Sequence, residues 1–450
     1  FSFIYSQRLV TRSKQWAVHY QHGGQHLMPT ALPVLGVSID FANGPAYGNP
    51  LLLNDISTPL GTGILANAPA DVVDVSDIAL RVSTRRGRNR ILDKFEAGTA
   101  TVILSDTNGD WNPSNPSSAY AGKLVPLRKI RIWADYDDGT GVSRYYLYSG
   151  YITSYDTGFS LGFSENATVV LTCVDGFRLL NKIAITDVPA GVANQTSGER
   201  VNTLLDVSNW PNSQRQIDVG NSRMIEDPGT SRDLLSAIQL VETSEFGAFF
   251  TDPEGNATFF SRETVSKNAD STPVIFSDTG VGISFQSIDF AYDDTLIVND
   301  VTVTRQDGLP QNRQDADSIE TYFIHSGKRD GILVQTDAEA ADQAAMLLTA
   351  RQDTDLRIDS MTLALTDPDE VAKITSGLSL GLFDLVNITK TVPGGSLVTR
   401  ELFVQGIQQD MSSSGAWNTT ILTAEPIIQA FILDSAIQGK LSVGGGVLSY

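Results

Sequence analysis

A mostly β fold with α+β insertions is what this sequence predicts. Short runs alternate apolar with polar residues, Asn-Gly and Asp-Gly pairs break them up, and helical periodicity surfaces in only a few places. Alternation rich in β-branched and aromatic side chains marks strands with one buried face. At 450 residues the chain is too long for a single core, so several domains are expected.

The first β-rich stretch runs from 31 to 185. It contains Val34-Leu-Gly-Val-Ser-Ile-Asp40, Ile78-Ala-Leu-Arg-Val-Ser83, Gly98-Thr-Ala-Thr-Val-Ile-Leu104, Lys129-Ile-Arg-Ile-Trp133, Tyr145-Tyr-Leu-Tyr148 and Thr168-Val-Val-Leu-Thr172. Such spacing predicts a barrel or sandwich. Residues 186–282 read as an α+β domain. A polar, turn-rich stretch from Pro189 to Pro228 leads into a first helix, capped by Thr230 or Ser231, with Leu234, Leu235, Ile238 and Val241 on one face. After it, Asp252-Pro-Glu-Gly-Asn256 predicts a hairpin turn between Phe246-Gly-Ala-Phe-Phe250 and Ala257-Thr-Phe-Phe260.

Strand patterning resumes at Ile283 and defines a second β-rich domain over 283–428. Its expected strands include Thr295-Leu-Ile-Val298, Val301-Thr-Val303, Ser360-Met-Thr-Leu-Ala-Leu365, Leu382 to Ile388, Glu401-Leu-Phe-Val404 and Trp417-Asn-Thr-Thr-Ile-Leu422. Thr336-Asp-Ala-Glu339 is a capping box that starts an inserted helix, and Pro393-Gly-Gly395 sits in a hairpin loop. The two β-rich halves suggest related barrels, although no clean sequence repeat is visible. Residues 1–30 read as an N-terminal extension, an ordered arm or a processed start, and 429–450 as a Gly-rich tail.

Composition narrows the function. A net charge of -20 argues against stable nucleic-acid binding, which needs clustered Lys and Arg. It suits a wall to which DNA must not stick, and equally any very soluble protein. A single cysteine, Cys173, rules out a disulfide framework within the chain, and its strand-like surroundings predict a buried, inert thiol. No apolar run is long enough to span a membrane as a helix.

Candidate chemical sites are few. His19, His22 and His26 have metal-like spacing, but their Gly- and Gln-rich surroundings disfavour a helix and point to loop histidines. Asp106-Thr-Asn-Gly-Asp-Trp-Asn112 alternates oxygen ligands as a calcium loop begins; yet Gly109 is misplaced and Ser117 stands where a bidentate Glu belongs, which favours a turn held by Asx side chains. His325 stands apart from any nucleophile motif, and the many carboxylates nominate no catalytic pair. Tyr145, Tyr146, Tyr148 and Tyr151 suit a sugar platform or, more simply, strand core and interface. No cofactor or metal is expected.

One extended string of motifs resembles the minor tail proteins, or tail-tip hub proteins, of tailed bacteriophages. It runs from Phe95-Glu-Ala-Gly98-Thr99 through the Asn108-Gly-Asp110-Trp-Asn-Pro113 turn, Leu124-Val-Pro126-Leu-Arg-Lys-Ile-Arg-Ile132 and Tyr148-Ser-Gly150-Tyr151-Ile152. It continues through Cys173-Val-Asp175-Gly176-Phe-Arg-Leu179, the helix and hairpin over 234–262, Leu296-Ile-Val-Asn-Asp-Val-Thr-Val-Thr-Arg305, the Thr336 to Glu339 box, Leu402-Phe-Val-Gln-Gly-Ile407 and Trp417-Asn-Thr-Thr-Ile-Leu422. Only the first 30 residues and scattered loops lie outside it.

The resemblance implies two split β-barrels of the tail-tube type with small α+β domains, assembled as a homotrimer whose six barrels match the six-fold tube. It implies a non-enzymatic component of the virion at the distal end of the tail, closing the tube around a lumen for DNA transit. The implied neighbours are the distal tail protein, the tape measure and other tail-tip or fibre proteins. Two other functions stay open on the residues alone: a tail-associated cell-wall hydrolase, which needs a cleft with a carboxylate of raised pKa, and a glycan-recognising receptor-binding protein, which needs exposed aromatic platforms.

Overall fold

A computed structural model describes residues 32–42, 71–89, 94–158, 167–354 and 356–426. The three-histidine stretch, the N-terminal extension and the C-terminal tail lie outside the described residues.

The first half is almost all strand: β1 (Val34–Asp40), β2 (Val72–Asp74), β3 (Ala79–Gly87), β4 (Thr99–Ser105), β5 (Arg128–Asp137), β6 (Val142–Gly158) and β7 (Thr168–Val174). The middle alternates: α1 (Phe177–Leu180), β8 (Ala184–Ile185), α2 (Ser197–Val207), β9 (Arg215–Ile217), β10 (Arg232–Asp233), α3 (Leu234–Glu245), β11 (Ala248–Thr251), β12 (Ala257–Phe260) and α4 (Arg262–Asn268). Next come β13 (Val274–Ser277), β14 (Ser287–Ala291), β15 (Asp300–Arg305), β16 (Gln311–Gln314), α5 (Ala316–Tyr322), β17 (Ser326–Ile332) and α6 (Asp337–Arg351). The chain closes with β18 (Arg357–Ala364), α7 (Val371–Ser379), β19 (Leu385–Thr391), β20 (Leu397–Ser412) and β21 (Trp417–Ala424).

Thirteen strands form one sheet, in the order β14-β18-β21-β20-β3-β4-β7-β6-β5-β1-β2, with β19 beside β20 and β13 beside β19. The path is open, ending at β2 and β14, so the described strands close no cylinder. Within this path one topology occurs twice. β3-β4-β7-β6-β5-β1 and β14-β18-β21-β20-β19-β13 are two six-strand units whose members follow one another in the same chain order. They differ at the last pair, since β1 runs antiparallel to β5 while β13 runs parallel to β19.

One apolar core runs under both units and the α+β piece between them, from Val37 and Ile132 through Phe177 and Ile238 to Phe403 and Ile421. A second, smaller core holds β15, β17 and α6 together through Val303, Ile332 and Ala344. Alternation explains the strands: in β4, Ala100, Val102 and Leu104 are buried while the residues between them face outward.

Three expectations need correction. Residues 295–298 form no strand, because the Asp293 side chain accepts the Thr295 amide and Ile297 N–H bonds the Asp294 carbonyl, which makes a turn. The cap of the helix at Leu234 is Asp233, whose carboxylate accepts the Ser236 amide at 2.8 Å, and not Thr230 or Ser231. The polar stretch 189–228 hides a whole helix, α2, started by a reciprocal Thr196 and Glu199 capping box.

The buried pair Lys129 and Asp40 ties β5 to β1, Nζ to Oδ2 at 2.9 Å, with both side chains almost without solvent contact. Taking away one partner leaves a charge in an apolar wall. Lys129→Met is expected to lower the free energy of unfolding in urea by about 3 kcal/mol, and adding Asp40→Asn should recover much of that loss.

Candidate functional site

The feature that organises the molecule is the seam where the two units meet. β20 runs antiparallel to β3, pairing Gly406 with Gly87 and Ser412 with Arg81, so strands more than 300 residues apart in sequence share a ladder. Just before the pairing begins, Gln405 bulges out of β20. Its carbonyl accepts the Arg88 amide at 2.9 Å, and its Oε1 accepts Arg88 Nε at 2.7 Å.

The Arg88 guanidinium also lies over the rings of Phe95 and Phe383, 4.6 and 5.6 Å from their centres. Phe95 packs on Phe250 and Phe383, and Phe383 continues to Phe260 and Phe403. Thus one aromatic cluster takes rings from the first unit, the α+β hairpin and the second unit. Glu242 on α3 is buried nearby; burial pushes its carboxyl up to about 8, opposed mainly by the charge of Arg88.

A second polar centre lies below. Asp175 follows β7 and is buried, accepting the Gly98 amide at 2.7 Å, the Phe177 amide at 3.0 Å and the Thr251 hydroxyl. Burial outweighs these donors and the nearby Arg86, raising the carboxyl to about 7. A side chain at Gly98 would place its Cβ 2.8 Å from Asp175 Oδ2, and one at Gly176 would meet the Trp210 ring at 2.8 Å. Gly150 has the Val174 carbonyl at 2.8 Å from the same point. Beside them a shallow cleft opens between Lys129, Gly150, Tyr151, Gln214 and Glu254.

Of the motif residues, the fold gathers Gly98, Gly150, Tyr151, Asp175 and Gly176 here, with Phe95 at the seam. The rest are spread out. Thr99 opens β4, Trp417 opens β21 as a buried ring, and Thr336 with Glu339 caps α6. Asn108, Asp110 and Pro113 sit in a turn where Asp106 Oδ1 accepts the Trp111 amide at 3.1 Å and Ser118 Oγ donates to the Asp110 carbonyl. Pro126 precedes Leu127, which takes a left-handed φ of 67°.

Among the described residues no group of three or more His, Cys, Asp or Glu side chains is placed to hold a metal ion. His325 is half-buried, its Nε2 3.7 Å from Asp294. Cys173 is buried and its thiol is pushed upward by that burial.

Sequence reasoning missed Arg86, Arg88, Glu242 and Gln405. A signal was present: Arg85-Arg-Gly-Arg88 is a basic run inside a strongly acidic chain.

No family model and no curated protein matches the chain. Solved structures do. A tail protein from Neisseria meningitidis superposes with a TM-score of 0.52 at 13% identity, over 88% of this chain and 98% of that one. The 43 kDa tail protein of prophage MuSo2 from Shewanella oneidensis gives 0.47 at 12%, over 79% and 94%. A prophage tail protein from Listeria monocytogenes gives 0.42 at 10%, over 77% and 88%. The chain therefore shares the fold of the Neisseria protein along nearly the whole of that protein's length.

Because Asp175 holds its proton to higher pH when folded than when unfolded, the stability it contributes is fully present below pH 4 and is lost as pH rises towards 7. Asp175→Asn is expected to remove that loss. Thermal melts of the two proteins should diverge between pH 4 and 7, the variant gaining on the order of 3 kcal/mol relative to the native chain.

Proposed function

We propose that this protein is a structural hub of a phage tail tip, a ring-forming component at the distal end of the tail tube. In this reading it assembles as a homotrimer, contacts the distal tail protein, the tape measure and other tip or fibre proteins, and leaves a lumen through which DNA passes. The two six-strand units then act as tail-tube-like split barrels, with the α+β pieces beside them.

The observation that carries this reading is the seam. A sheet that passes from one unit into a second of the same topology lets a chain take two successive places in a ring. The fold shared with the Neisseria tail protein supports it, as does the extended motif string. The net charge of -20 suits a wall past which phosphates slide without binding.

The hydrolase reading gains nothing from Asp175. Asp175, whose pKa lies near neutrality, is sealed from solvent with its oxygens occupied by Gly98, Phe177 and Thr251, so it has no route to a polymer. Of the tyrosines that suit a sugar platform, Tyr148 and Tyr151 are buried and Tyr145 and Tyr146 only half-exposed.

Native mass measurement of the purified protein, together with its copy number in intact particles, tests the proposal. Three copies per tail and loss of tail closure when the gene is deleted are expected. A monomer absent from particles would refute it.

A further inference from the structure

The two units correspond residue by residue. In β6, Ile152 and Ser154 flank a one-residue bulge against β7; in β20, Val404 and Gly406 flank the same bulge against β21. Leu127 N–H bonds the Ile152 carbonyl at 2.7 Å, and Phe383 N–H bonds the Val404 carbonyl at 2.7 Å. Leu127 and Phe383 are both non-glycine residues held at a φ of 67°. Where β4 and β18 end, Asp106 N–H bonds the Ala167 carbonyl at 2.9 Å and Leu365 N–H bonds the Trp417 carbonyl at 2.8 Å.

These matches fix the equivalences. The row Ser154, Thr172, Thr101, Ser83 crosses the first unit as the row Gly406, Leu422, Ser360, Asp289 crosses the second. So β6 stands for β20, and β3 for β14.

Besides the last pair of each unit and local bulges, the equivalence fails at the seam. β20 beyond its bulge is covered by β3, and Ile407, Gln409 and Met411 are buried there. The matching stretch of β6, residues 154–158, pairs with β7 but has no strand on its other side among the described residues, and Tyr155 and Thr157 stay half-exposed. Likewise β3 is paired on both edges, whereas β14 pairs with β18 alone and ends the sheet, with Tyr292 just beyond it 67% exposed. Among the described residues one open edge of each kind remains, and each has the counterpart of the partner that its equivalent already has.

We infer that residues 154–158 of β6 in one copy pair antiparallel with β14 of a second copy, repeating between chains the seam that β20 and β3 make within one. This deepens, and rests on, the ring-forming reading above. Carrying the register of the internal seam across places Asp156 opposite Ala291 of the second copy, as Gln408 lies opposite Arg85, and Gly158 opposite Asp289, as Asp410 lies opposite Ser83. The contact is head-to-tail, so each chain offers one edge of each kind and a ring closes with neither of these two edges left open.

Cysteine cross-linking tests this in the full chain, where the native Cys173 is buried. Asp156→Cys and Ala291→Cys are made in separate chains, mixed and oxidised mildly. The expected product is a disulfide-linked pair containing one chain of each variant, in large excess over either variant oxidised alone. A chain carrying both cysteines should give a covalent ladder ending at the ring. Gly158→Cys with Asp289→Cys provides an independent pair if Ala291→Cys melts below the native protein. If native mass shows an oligomer and neither pair cross-links, this inference is overturned while the ring reading survives. A chain that stays monomeric throughout, in solution and in particle lysates, overturns both.

Discussion

Seven residue pairs between β3 and β20 carry the architecture. Without them the two six-strand units would be separate sheets, and Arg88 would lose the bulge carbonyl and the Gln405 side chain that fix it over Phe95 and Phe383. The bulge at Gln405 bends β20 at the point where its neighbour changes from β19 to β3. A long strand thereby serves two partners along one edge. The aromatic cluster then locks the α+β hairpin over the junction, so that three parts of the chain share one dry interior.

Several polar groups in that interior have partners prepared for them. Glu245 at the end of α3 accepts amides from Asn221 and Ser222 and the hydroxyl of Ser197, which pins the loop before β10 to the start of α2. Arg200, fully buried, reaches the carbonyls of Val192 and Ile225 and the side chain of Gln195. These contacts supply what the irregular stretch around 186–232 lacks in sheet hydrogen bonds.

Much of this was legible in the sequence. The alternating runs gave nearly every long strand, Asp252 to Asn256 gave its hairpin, and the Thr336 box gave α6, because period-two burial, positive-φ glycine and reciprocal capping are local rules. Some local signals were overlooked, notably Thr196 and Glu199 ahead of Val201, Leu204 and Leu205 in α2. The repeat and the seam were not legible at all. Equivalent positions hold unlike residues, such as Tyr155 and Ile407 or Asp156 and Gln408, since what recurs is hydrogen-bond geometry and a bulge, neither of which demands a side chain.

The distance along the chain between the two strands of the seam also bears on how the molecule is made. β3 is synthesised more than 300 residues before the strand that covers its edge, so that edge waits while those residues are made. Contacts between residues so remote are slow to form, and an uncovered β edge invites pairing with the wrong strand in the meantime. Arg81, Arg85 and Arg86 lie along that edge, where their positive charges repel other nascent copies until β20 arrives to claim it.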